Sequence, residues 1–64
     1  MTVNESLREY IKSHGISQTF IVNKTGISHS KLSDIVNGKR KITGEELLLI
    51  ARALEVNADI FLEQ

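Results

Sequence analysis

The chain has 64 residues, neither cysteine nor proline, and eight basic side chains balanced by eight acidic ones for a formal net charge of zero. Disulfides and a cysteine-bound metal are thereby excluded, and the length predicts a single domain, 1–64, whose one small core leaves it marginally stable or inclined to self-associate, since a chain this size buries only about 60% of its unfolded surface. No apolar run approaches the roughly 18 residues of a membrane span, so the expected setting is cytoplasmic with no membrane partner.

Thr2 and Glu5 have the spacing of a capping box, in which each side chain closes a backbone amide of the other, so a first helix is predicted to start near Val3. Val3, Leu7, Tyr10, Ile11 and His14 share one face, and Gly15 ends it. His14 in the last turn favours the helix dipole when protonated; no residue stands at ligand spacing from it, and neither a metal nor another cofactor is expected. Ser17 caps a second helix over 18–25, closed by Gly26, a residue free to take positive φ. Two positions on, Ser28 caps a third helix over 28–37, which carries Leu32, Ile35 and Val36 on one stripe and stops at Asn37-Gly38. With so short a link the two helices cross steeply. Ile21, Val22 and Ile27 then face Leu32 and Ile35, and the outer face of the third helix is small and polar: Ser28, His29, Ser30, Lys31, Ser33 and Asp34. Thr43 and Glu46 repeat the capping-box spacing and open a fourth helix with Leu47, Ile50, Ala51 and Leu54 as its core stripe, widened by Leu48 and Leu49. Asn57 caps a last short helix over 58–62, whose Ile60 and Phe61 close the core or face a partner. The sum is an all-α domain of five helices.

Two short helices joined by a tight turn form a helix-turn-helix, whose second helix enters the DNA major groove. The segment 17–38, SQTFIVNKTGISHSKLSDIVNG, resembles that of the Cro and CI type phage repressors, the XRE family, without insertion or gap. Gln18 stands at the first motif position, Gly26 at the turn glycine, and Ile21, Ile27, Leu32 and Ile35 at the apolar positions, while NGKRK resembles the family's NGK signature. The resemblance extends over nearly the whole chain. It implies a lambda-repressor-like fold and a sequence-specific double-stranded DNA-binding regulator, expected to be a prokaryotic or phage repressor. It directs Ser28, His29, Ser30, Ser33 and Asp34 toward base edges and Gln18 toward a phosphate. The sequence departs from the family at Val22, where a small residue is usual, and at Ile11 and Val36, which replace an arginine–glutamate pair; losing both halves of a buried pair is tolerated where losing one is not. Phe20 and Leu49 stand where the family is commonly polar.

Charge is distributed unevenly. Residues 24–41 hold Lys24, Lys31, Lys39, Arg40 and Lys41 against Asp34 alone, a balance of +4, and residues 42–64 hold Glu45, Glu46, Glu55, Asp59 and Glu63 against Arg52, a balance of −4. Lys31, Lys39, Arg40 and Lys41 suit phosphates, His29 suits guanine, and Asp34 suits cytosine N4. No bidentate arginine or glutamine contact to a base is available, so two copies on a palindromic operator are expected, with Leu48, Leu49, Ile60, Phe61 and Leu62 as candidates for a homodimer contact. The competing function is a protein-interaction module, an antirepressor or co-regulator using the fold without reading DNA, favoured by the neutral net charge and by Phe20, Leu48 and Leu49. An enzyme is not expected: Ser30 and Asp34 share a face, His29 is offset, and so small a domain offers no deep pocket.

Overall fold

Each helix begins on a hydroxyl placed three residues before an orphan amide. In the computed structural model, which describes residues 2–62, Thr2 opens α1 (Val3–Ser13), Ser17 opens α2 (Gln18–Thr25), Ser28 opens α3 (His29–Val36) and Thr43 opens α4 (Gly44–Ala53), every one accepting a hydrogen bond from the backbone three positions on. The third helix is shorter than the 28–37 expected, because Ser28 and Asn37 serve as its caps rather than its ends. Gly26, at φ 78°, turns the chain out of α2, and Gly38, at φ 75°, turns it out of α3. At the end of α4 the same left-handed place is taken by Glu55 at φ 58°. Its N–H donates to Arg52 O at 3.1 Å and that of Val56 to Ala51 O at 3.0 Å, which satisfies the last carbonyls at a cost of about 1–2 kcal/mol for a residue with a Cβ.

The helices enclose one core of Leu7, Ile11, Ile21, Ile27, Leu32, Ile35, Val36, Leu47, Ile50, Ala51 and Phe61. α2 packs against α3 and α4, α1 against α3, and both α1 and α4 against the segment 58–61. Burying a side chain of this size contributes about 1.5–3 kcal/mol. Ile11 and Val36, the apolar replacements for an ion pair, both join the core, and Val22 packs half-buried against it.

The last element corrects two expectations. Ala58–Phe61 is a 3₁₀ turn capped by Asn57, not an α-helix: Ile60 N–H donates to Asn57 O at 3.2 Å and Leu62 N–H to Asp59 O at 3.0 Å. So few residues cannot repay the nucleation of an α-helix, and i→i+3 bonds suit them better. Phe61 is 1% exposed and is no dimer contact but closes the core; its ring, in the turn that packs against both α1 and α4, meets Tyr10 edge-on at 5.5 Å.

Candidate nucleic-acid interface

The turn between α2 and α3 is held by Thr25. Its hydroxyl donates to Ile21 O at 2.7 Å and accepts from Ile27 N–H at 3.2 Å, so the chain leaving α2 is tied to the helix it has left. Ile27 drops into the core, and α3 lies over it with Leu32, Ile35 and Val36 buried. Its other side is open. Ser28, His29, Ser30 and Lys31 are exposed, and Ser33 and Asp34 are half-buried along its flank. Two hydroxyls have local work: Ser28 Oγ accepts from Lys31 N–H at 3.1 Å, and Ser33 Oγ accepts from Asn37 Nδ2 at 3.3 Å. Each retains its own O–H to donate. Gln18 sits half-buried in the first turn of α2.

The basic stretch leaves α3 through Gly38, whose N–H donates to Ile35 O at 3.1 Å, while Lys39 N–H donates to Asp34 O at 2.8 Å. Lys39, Arg40 and Lys41 are all exposed. Asn4, in the first turn of α1, holds this loop in place: its amide donates to Ile35 O at 2.8 Å and to Arg40 O at 2.9 Å. One side chain thus spends both N–H groups joining α1 to the end of α3 and to the middle of the basic loop. Nothing local in the sequence signals it.

Glu46 forms the capping box expected of it and has a second role that the sequence reading missed. As the partner of Thr43 it accepts Thr43 N–H on Oε1 at 2.9 Å. Its Oε2 faces Arg40 at 3.5 Å and Lys31 at 4.0 Å, so two of the four cations expected at phosphates share one carboxylate. The hydrogen bonds from Thr43, with smaller help from Arg40 and Lys31, hold its carboxyl below the ordinary 4.5 against an opposing cost of burial. Lys39 and Lys41 form no ion pair among the described residues.

Of the apolar residues of the C-terminal third, Leu48 and Leu62 are 55% and 56% exposed and Ile60 is exposed, but Leu49 is half-buried. Phe20 is exposed beneath Lys24, whose Nζ lies 5.8 Å from the ring centroid. His14 stacks on Tyr10 at 4.0 Å, with Nδ1 3.0 Å from Tyr10 O. Among the described residues no helix is long and apolar enough to cross a membrane. A family model described as helix-turn-helix matches residues 7–61. No curated protein and no solved structure matches the chain.

Proposed function

Because the chain belongs to the XRE-type helix-turn-helix family of DNA-binding regulators, we propose that it is a transcriptional repressor that reads a palindromic operator with α3. The observation that carries this reading is the two-sidedness of α3: Leu32, Ile35 and Val36 anchor it in the core, and its outer face holds exposed donors and acceptors beside a basic loop. Ser28, His29, Ser30, Ser33 and Asp34 meet base edges; Gln18, Lys31, Lys39, Arg40 and Lys41 meet phosphates. The division is chemical, since the short polar side chains have directional partners on bases and the long cations do not need them.

One such helix with short side chains covers few base pairs. Two copies on half-sites about 34 Å apart supply the missing contacts, and the exposed Leu48, Ile60 and Leu62 support a dimer contact away from α3.

The test is selection from random duplexes with the native chain and with Asp34→Ala. The native chain should enrich a palindromic motif. Asp34→Ala should relax preference at one position of each half-site, by about 1–3 kcal/mol of discrimination, with little change in melting. Enrichment of no motif by the native chain would sink the proposal in favour of a protein-interaction role.

A further inference from the structure

Resting on the reading that α3 docks on a duplex, we propose that Glu46 is an internal counter-ion that holds, in the free protein, the place of a DNA phosphate at Lys31 and Arg40, and so sets the strength and salt dependence of DNA binding. The carboxylate divides its two oxygens between two tasks. Oε1 caps α4 through Thr43 N–H at 2.9 Å, and Oε2 is left to Arg40 at 3.5 Å and Lys31 at 4.0 Å.

Three elements meet there: Lys31 comes from the first turn of α3, Arg40 from the basic loop and Glu46 from the first turn of α4. Asn4 fixes the loop by its hold on Arg40 O, so the arginine is not simply wandering past a carboxylate. The Glu46 side chain is 12% exposed and the two cations 44% and 41%. The anion is therefore tucked in, and the cations, on and just after α3, each keep an open side.

A carboxylate and a phosphate are both oxyanions, and arginine and lysine accept either. With both cations half-exposed and 3.5–4.0 Å from the carboxylate, these ion pairs are weak and screened, so a phosphate of the duplex takes over Lys31 and Arg40 readily. What remains is the uncompensated charge of Glu46 beside that phosphate, which cancels about one of the two positive charges the pair would bring. Glu46 thereby restrains attraction to any duplex, leaving the face of α3 to decide where the protein stays.

Glu46→Gln tests this, because glutamine keeps an oxygen for Thr43 N–H and loses only the charge. The expected result on random-sequence duplex is a tightening of about 3- to 10-fold at low salt and a log–log salt slope steeper by about 0.9, the value of one added charge at the phosphates. Adding Lys31→Ala and Arg40→Ala to Glu46→Gln should abolish the gain. On the native chain, titration with random duplex should shift the side-chain carboxyl carbon resonance of Glu46 and leave that of Glu5 unmoved, a readout that needs no variant to fold. Unchanged affinity and slope in Glu46→Gln, or a Glu46 resonance indifferent to DNA, overturns the inference while native binding with a steep salt dependence leaves the proposed function standing. Weaker binding by a folded Glu46→Gln also overturns it, because Glu46 would then be orienting the cations rather than standing in for a phosphate. A native chain that binds no duplex at low salt overturns both.

Discussion

α1 and α4 open on the same pattern, Thr-x-x-Glu, and close it with the same bonds. At α1, Glu5 N–H donates to Thr2 Oγ1 at 3.1 Å and Thr2 N–H to Glu5 Oε1 at 2.8 Å; at α4 the corresponding distances for Thr43 and Glu46 are 3.1 Å and 2.9 Å. Locally the two caps are interchangeable. Their surroundings are not: Glu5 is exposed and takes part in no ion pair among the described residues, whereas Glu46 is drawn in beside Lys31 and Arg40. A cap is a four-residue device that works the same way wherever it is placed, and what its spare oxygen does is decided by what the rest of the chain packs against it. At α4 that surrounding is the basic loop, so a helix start became the junction between the positive and negative segments of the protein.

The largest expected effect removes the floor on which both capped helices rest. Phe61 is shared by α1 and α4, and Phe61→Ala should cost about 3–5 kcal/mol, enough to leave so small a domain largely unfolded at room temperature. Urea denaturation checks it, and a loss under 1 kcal/mol would show that the 3₁₀ turn is an appendage. Next come the caps themselves. Thr2→Ala and Thr43→Ala should each cost about 1 kcal/mol, the second more than the first, because freeing Glu46 also loosens its hold on Arg40 and Lys31. Equal losses in thermal melts would mean that the ion pairs add nothing to the second cap.

The smallest effect is in acid. Both glutamates are held below the ordinary 4.5, Glu5 first by its hydrogen bond from Thr2 N–H and Glu46 first by that from Thr43 N–H. A carboxyl whose folded pKa is depressed contributes stability that is present above 4.5 and is lost as pH falls from there through the lower folded value. Native stability should therefore decline in that window. Glu46→Gln should flatten the decline more than Glu5→Gln, since only Glu46 also faces Arg40 and Lys31. Urea midpoints measured at neutral pH and near pH 3 decide it, and equal flattening by the two substitutions would erase the contrast.

The legible part of this protein is the part that depends on neighbours within four positions. Thr2, Ser17, Ser28, Thr43 and Asn57 announce where helices start because a hydroxyl or amide reaches only the amides just beyond it, and Gly26 and Gly38 announce where they stop because a left-handed residue without a Cβ is unstrained. Apolar spacing on α3 and α4 placed Leu32, Ile35, Leu47 and Ile50 inside, and by subtraction it placed His29, Ser30 and Lys31 outside. Tertiary structure alone decided the rest. Phe61 is buried while Ile60 and Leu62 beside it are exposed, a choice made by the gap between α1 and α4, which no periodicity in four residues can encode. Glu55 takes a conformation its side chain disfavours because the chain must turn there to bring the 3₁₀ turn back onto α1. Asn4 reaches carbonyls 31 and 36 residues away, and Glu46 meets cations of two other elements. Such bonds form because packing the apolar faces sets the helices at one distance and angle, and the polar groups left along those seams pair with whatever the packing has brought opposite them.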